Sequence, residues 1–340
     1  MIYADQRWIG NHGIGRFARH VLAGLTCRPI GLESHPAAPL DALRLSRALR
    51  NLTRNDLFFS PGYNFPLFSA APFVFTIHDL SHFYCPENSS PLIRLYYRTV
   101  LKRACHRAVS ILTVSEFTRM QIVDWSGVPP EKVFDVRCGV DPAYHPGDDS
   151  YGLLAPYLLC VSNRKRHKNE FRVVKAFAMA RLPAEILLVF TGEPTTDLTD
   201  YIERFRVTSR VEFVGMVPEE KFPPLYRGAE ALIFPSLYEG FALPVAEAMA
   251  CGTPVVTSNT TAMPEVAGDA ALLVDPTSVE EIAAAMEQIV SDTSLRRQLA
   301  EKGLARAAQL SWATTAARVH EVLARDAVRF EVKGYRDARP

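Results

Sequence analysis

Short runs of branched and aromatic apolar residues alternate along the chain with longer stretches whose apolar positions recur at helical spacing. Residues 1–4, 57–60, 73–78, 110–114, 133–136, 157–162, 186–191, 211–214 and 231–234 read as strands, being short, apolar and bounded by turn-forming residues. Helical periodicity fills the intervals, most clearly at 15–24, 92–107, 116–125, 169–180, 279–290 and 294–308. This alternation predicts an α/β protein built on parallel sheets. Between 139 and 156 the periodicity lapses into GVDPAYHPGDDSYGLLAP, rich in proline and glycine, which reads as an interdomain linker. Each side of it holds about five or six strand–helix units, enough for one Rossmann-like sheet apiece. The expected organisation is an N-terminal domain over 1–150, a C-terminal domain over 151–310, and a last helix over 311–330 that Ser311 can cap.

Composition agrees with two domains, since 340 residues exceed what a single core usually supports. The chain is 48% hydrophobic and 22% charged with a net charge of +1, which gives no argument for a nucleic-acid partner. Six cysteines are scattered without a C-x-x-C pair, so neither a zinc site nor a disulfide framework is indicated, and a reducing cytoplasm is expected. The opening MIYADQRWIG lacks the basic-then-apolar order of a signal peptide, and no apolar run is long enough to cross a bilayer. The expectation is a protein neither secreted nor membrane-spanning.

The chemistry concentrates at 231–257, ALIFPSLYEGFALPVAEAMACGTPVVT. After the strand, residues 235–241 form a loop and a helix begins near Leu243. Pro244 suits a first helical turn, and Gly252 suits the left-handed position past the helix end. A strand–loop–helix unit of this kind aims free backbone N–H groups and the positive end of the helix dipole above the strand ends, where an anion fits. Glu239 lies in the loop and Glu247 about one turn inside the helix. A carboxylate only accepts hydrogen bonds, so the pair suits hydroxyls of a ribose or a sugar, with a phosphate between them on the helix terminus. The plainer reading makes them a loop charge and a helix-surface acid.

A second loop, SNRKRHKN at 162–169, crowds Arg164, Lys165, Arg166 and Lys168 at a strand end. Four cations repel one another unless solvated or shared by an anion, and the strand-end position favours the anion. No D-x-D occurs, so no such carboxylate pair offers a divalent-metal site, and an anion at these strand ends would be met by fixed cations and a helix dipole. Gly13 and Gly15 in NHGIGRFA form a tight turn or let backbone approach a phosphate. With Glu33 downstream they also imitate a dinucleotide fingerprint, although residues 5–12 separate them from the strand that a true fingerprint follows directly. His78 and Asp79 end the strand FVFTIHDL, and His78 with His82 has the spacing of a metal pair without a third ligand. Ser115 and Glu116 stand at another strand end, and Gly192–Glu193 and Gly215–Val217 follow C-terminal strands. The pattern at 92–107 carries Arg94, Arg98, Lys102, Arg103 and Arg107 with no acid, interleaved with Tyr96, Tyr97 and Leu101. It is either a solvated helix or one that lies on an anionic membrane.

Residues 231–257, continued by MPEVAGDAALLVDP at 263–276, closely resemble the signature of the GT4 retaining glycosyltransferases, E-x7-E within EGFxLPxxEAMACGTPVV. That resemblance implies a GT-B fold: two Rossmann-like domains facing a central cleft, with the C-terminal helix crossing back to the N-terminal domain. It also implies a nucleotide-diphosphate sugar bound mainly on the C-terminal domain. Glu247 would hold the ribose diol, and Glu239 with Gly240, Phe241 and Ala242 the sugar hydroxyls. Arg164, Lys168, Asn169 and the N–H groups at Leu243, Pro244 and Val245 would clamp the diphosphate. Gly13 and Gly15 would approach the phosphates from the other domain, Gly192 and Val217 would border the base, and His78 would lie against the donor sugar. Asp79 and Ser115 would touch the acceptor. The residues expected to carry catalysis are His78, Arg164, Lys168 and Glu239, with no metal and no cofactor. Attack on the face that the phosphate leaves, with that phosphate taking the acceptor proton, is the mechanism generally described for the family. Ala242 stands where many members have glycine.

The opening Asp5, Arg7, Trp8 and Gly13–Arg16 resembles bacterial mannosyltransferases of polysaccharide assembly, which makes GDP-mannose the first donor expected and a saccharide, free or polyprenyl-diphosphate-linked, the acceptor. That acceptor would place the protein on the inner face of the cytoplasmic membrane through helix 92–107. A UDP-sugar donor, a nicotinamide oxidoreductase built on GIGRFA, a glycosidase using Glu239 and Glu247, and a non-catalytic sugar-nucleotide module remain alternatives.

Overall fold

The computed structural model describes residues 1–38 and 40–331. The chain forms two compact units, one of Met1–Gly139 with the chain from Trp312 onward, the other Val140–Ser311. In the first, strands β1 (Ile2–Ala4), β2 (Arg28–Pro29), β3 (Leu57–Ser60), β4 (Phe73–Thr76), β5 (Ser110–Thr113) and β6 (Val133–Asp135) form a parallel sheet in the order β2-β1-β3-β4-β5-β6. In the second, β7 (Tyr157–Cys160), β8 (Leu187–Phe190), β9 (Val211–Phe213), β10 (Ala231–Phe234), β11 (Val255–Ser258) and β12 (Leu272–Val274) form another, in the order β12-β11-β10-β7-β8-β9. Central strands such as Leu57–Ser60 and Ala231–Phe234 are buried throughout, as parallel strands covered by helices on both faces must be.

Chain direction across each sheet reverses once, between β1 and β3 in the first and between β7 and β10 in the second. At such switch points the loops leaving the strands diverge and open a crevice. Strands 73–78 and 157–162 were expected to run two residues further. The ladder instead stops at Thr76 and Cys160, and the residues beyond become crevice loops. β2 was not anticipated, because Arg28 and Pro29 are both exposed and carry no apolar signal.

The domain boundary at 150 is corrected to 139. Tyr144 is buried with its ring 6.0 Å from that of Tyr226, Arg227 donates to the His145 carbonyl (2.9 Å) and pairs with Asp149 (2.6 Å), and Val140 N–H donates to the Leu310 carbonyl (3.0 Å). Proline and glycine here mark an anchored irregular segment of the second unit. The last helix, Trp312–Arg329, belongs to the first unit and packs on Gly13–Leu22, with Trp312 stacked on His20 at 4.7 Å and His320 bonded to the Val21 carbonyl at 2.9 Å.

Candidate functional site

In the second unit the loops leaving β7 and β10 meet across the switch point. Lys168 Nζ lies 2.6 Å from Glu239 Oε1, both side chains mostly buried, and the ammonium also sits 4.7 Å from the centre of the Phe234 ring. Glu239 is held from behind, its N–H donating to Thr261 Oγ1. Glu247, only 4% exposed, points inward from helix Leu243–Ala250 and accepts a 2.9 Å hydrogen bond from the Tyr226 hydroxyl. The two glutamates are therefore fixed by different partners.

Arg164 is the most constrained cation of the basic loop. Its guanidinium pairs with Glu170, donates to the carbonyls of Thr191, Gly192 (3.0 Å) and Glu193 (2.7 Å), and lies 5.1 and 5.5 Å from the ring centres of Phe213 and Phe190. Lys165 and Arg166, to which no direction was assigned, are exposed. Asn169 does not face the cavity: its buried amide donates to the carbonyls of Pro235 (2.9 Å) and Pro276 (2.6 Å), tying the basic loop to the β10 loop. Arg164, Lys168, Gly192, Val217 and Pro244 line a cavity of about 510 Å³, with Met216 and Phe222 supplying an apolar end.

The start of helix Leu243–Ala250 needs one correction. Val245 N–H is consumed by the Ala242 carbonyl (3.0 Å) and Pro244 has none, so neither can donate to a diphosphate. The N–H groups of Phe241, Ala242 and Leu243 have no partner among the described residues. Ala242 adopts the left-handed conformation (φ 74°), which turns successive N–H groups toward one point and makes an anion nest. Arg164 (φ 62°), Asn169 (φ 65°), Gly192 (φ 76°) and Gly215 (φ 66°) are left-handed too. Backbone of this kind costs energy in non-glycine residues and gathers at functional sites.

The first unit treats its predicted residues differently. His78 is 8% exposed beyond β4, its Nε2 lies 2.9 Å from the Pro61 carbonyl, and its ring meets Phe17 edge-on at 4.9 Å. A carbonyl only accepts, so Nε2 carries the proton. Burial lowers the imidazole pKa to about 4, which makes it neutral at pH 7. Asp79 Oδ1 accepts from Ser81 N–H (2.8 Å). Ser115 is fully buried and caps helix Glu116–Ser126 by accepting from Thr118 N–H (3.1 Å), so the acceptor contact expected of it is replaced by a structural role. Gly13 opens helix Gly13–Leu22 and is exposed, whereas Gly15 is buried with no room for a side chain, since a Cβ there would lie 2.6 Å from Gly10 backbone. Close packing against Gly10 is thus by itself enough to require a glycine at Gly15.

The helix expected at 92–107 is three segments: α-helix Pro91–Tyr96, a π-helical turn Tyr97–Leu101 and α-helix Lys102–Arg107. Of the residues interleaved with the cations, Tyr97 and Leu101 are buried, while Leu92 (77%) and Leu95 (56%) are exposed. Sequence reasoning also missed Glu170, Tyr226 and Thr261. Glu170 follows the basic loop directly and was available as its counter-charge. Tyr226 and Thr261 lie too far away in sequence to be paired with Glu247 and Glu239. Among the described residues no three His, Cys, Asp or Glu side chains converge as metal ligands, and no helix is long and apolar enough to cross a membrane.

Comparison with known proteins bears on both units. The pattern of the Glycosyltransferase Family 4 matches residues 8–144, and that of Glycosyl transferases group 1 matches residues 154–306. The chain is 33% identical over 318 residues to O-antigen chain mannosyltransferase B of Escherichia coli, covering 89% of this chain and 80% of that one. It is 32% identical over 238 residues to the MMP alpha-(1->4)-mannosyltransferase of Mycolicibacterium hassiacum, covering 67% of this chain and 57% of that protein. Among solved structures, Anabaena HepE in complex with UDP and glucose matches with a TM-score of 0.75 at 17% identity, covering 95% of this chain and 99% of that one. The two parallel sheets are those of a GT-B fold.

Proposed function

The chain belongs to family 4 of the glycosyltransferases, and from that membership we propose that it transfers mannose from GDP-mannose to a saccharide acceptor, with retention at the anomeric carbon, in the synthesis of a bacterial surface polysaccharide. The observation that carries the reading is the cavity beside the Lys168–Glu239 pair. Arg164 and Lys168 stand in its wall, and Lys168 ties it to Glu239 on the adjacent loop, where the N–H groups of Phe241, Ala242 and Leu243 have no partner among the described residues. Names of mannose-transferring relatives support the sugar.

On this reading the diphosphate lies between Lys168, Arg164 and the N–H groups of Phe241, Ala242 and Leu243. Its arrival competes with Glu239 for Lys168, and the carboxylate so released accepts from the sugar hydroxyls. Glu247, oriented by Tyr226, accepts from the ribose diol. As the bond from anomeric carbon to phosphate oxygen lengthens, charge grows on the diphosphate, and donors already aimed at it stabilise the transition state more than the ground state. The acceptor oxygen bonds to the carbon on the face the phosphate leaves, and its proton passes to the departing phosphate oxygen. No metal is required in this scheme. Neutral His78 contributes no positive charge near pH 7.

Segment 91–107 presents Leu92, Ile93, Leu95 and Tyr96 to solvent beside five cations, which supports docking on the inner face of an anionic membrane and a lipid-linked acceptor.

Thermal-shift titration with GDP, UDP and their mannose and glucose derivatives, followed by transfer assays with and without EDTA, tests the proposal. GDP-mannose should stabilise and turn over unchanged in EDTA, and Glu247→Ala should weaken its binding about tenfold or more. Stabilisation by UDP-sugars alone would move the donor to uridine. Hydrolysis of simple glycosides without a nucleotide would sink the transferase reading.

A further inference from the structure

A second cavity, of about 580 Å³, lies in the first unit and is independent of the donor site. Val109 immediately precedes β5 and Lys132 immediately precedes β6, so this cavity sits at the amino ends of the strands, whereas His78, Asp79 and Ser115 follow the carboxyl ends. Its walls carry four cations, Arg107, Lys132, Arg325 and Arg329, and one carboxylate, Glu131.

Most of that charge is not neutralised. Lys132 Nζ donates to the His106 carbonyl at 2.6 Å, Arg107 donates to the carbonyls of Leu67 and Pro66, and Arg329 lies 5.6 Å from the ring centre of Phe330. Carbonyls and rings orient a cation but leave its charge in place. Among the described residues, Arg325 alone of the four has a carboxylate partner, Asp326 at 2.8 Å. The Lys132 ammonium is pushed below its ordinary pKa, first by burial and also by repulsion from Arg329. Cations drawn from three separated segments of the chain thus converge on one cavity although bringing them together costs energy. Ala108, Val109 and Phe330 make the rest of the wall apolar.

We propose that this cavity is a binding site for a phosphate ester, the phosphate held among Arg107, Lys132 and Arg329 and its carbon-bearing part against Phe330. Arginine and lysine together satisfy a phosphate's acceptor oxygens through charge-assisted hydrogen bonds. The same chemistry is presented by the headgroup of an anionic phospholipid and by a free phosphate compound.

The test uses the full-length protein and two probes. Vesicles of phosphatidylglycerol, with phosphatidylcholine vesicles as reference, are read by co-sedimentation, and glycerol 3-phosphate is read by calorimetry. The variants are Lys132→Gln with Arg329→Gln, which should lower affinity about tenfold for each cation lost, and Glu131→Gln, which should raise it. Leu92→Ser with Leu95→Ser disables the separate apolar face and should leave the glycerol 3-phosphate isotherm unchanged. Transfer to a soluble acceptor should stay at the wild-type rate in all of them. Binding of vesicles alone, weakened by the charge variants, assigns the site to a lipid headgroup, and binding of glycerol 3-phosphate assigns it to a free ester. If neither probe binds, or if binding ignores residues 131, 132 and 329, the proposal is overturned. Opposite shifts from Glu131→Gln and from the double variant keep the outcome readable should either protein lose stability.

Discussion

The two sheets bridge their switch points with different chemistry. In the second unit the loops leaving β7 and β10 are joined by an ion pair, Lys168 with Glu239. In the first, the loops leaving β1 and β3 are joined by packing: Trp8 lies so close over Gly62 that a Cβ there would come within 2.5 Å of the indole, whose N–H donates to Asn64 Oδ1 at 2.6 Å. Beneath Trp8, Arg7 pairs with both Asp5 and Asp41 at 2.7 Å, and Asn64 donates to Asp41. A partly exposed ion pair can exchange partners when an anion arrives, whereas a glycine pressed by an aromatic ring cannot. Parallel topology places a crevice in both units, and the side chains that span it set how readily its two sides can part.

The largest expected effect breaks the charged bridge. Lys168→Ala should lower kcat by about 100- to 1,000-fold, the cost of one charge-stabilising donor, and wild-type turnover at saturating donor would remove Lys168 from the chemistry. Next is the buried histidine of the fixed unit. Its folded pKa of about 4 lies below the unfolded value near 6.5, so the unfolded chain binds the extra proton between those pH values. The stability from keeping His78 neutral is therefore complete above about pH 6.5 and falls toward pH 4, by a total on the order of 3 kcal/mol. Denaturant melts across that range should show the slope, and His78→Gln should flatten it.

A smaller effect probes the packed bridge. Gly62→Ala should destabilise by about 1–3 kcal/mol through the clash with Trp8, while the GDP binding isotherm stays as in wild type. A lost isotherm would mean that the two bridges are coupled. Smallest is Ala242→Gly, which relieves left-handed strain of about 1 kcal/mol but gains chain entropy in the unfolded state, so melting should shift little and turnover persist.

Nine of the twelve strands were legible as short apolar runs, and Val255–Ser258, after the motif helix, is a further run of that kind. Arg28–Pro29 has no such run, and Leu272–Val274 is half exposed at a sheet edge. The candidate site's arrangement was legible where chemistry is local, as in Glu239 and the basic loop, whose Lys168 meets it. It was not where a partner comes from a distant segment: Tyr226, Thr261 and the Asn169 staples to Pro235 and Pro276 depend on how the strands are ordered. Ser115 misled because a buried helix cap and a hydroxyl offered to a ligand have the same sequence at a strand end. The anchored segment 140–156 misled for a related reason, since proline and glycine report missing periodicity and not missing contacts.

The π turn at Tyr97–Leu101 has a consequence for how segment 91–107 can change. A π turn holds one residue more than the α-helical path, so it offsets the angular phase of everything before it by about 100° relative to everything after it. Residues Leu92 and Leu95 face solvent on one side of that offset, and Ala104 and Cys105 face the core on the other. Removing a single residue from the turn would restore an uninterrupted α-helix and swing the exposed leucines away from their present bearing, with no side chain substituted. The direction of that apolar face is thus stored in chain length, and a comparison of sequences that slides one gap through residues 97–101 would be reading a rotation.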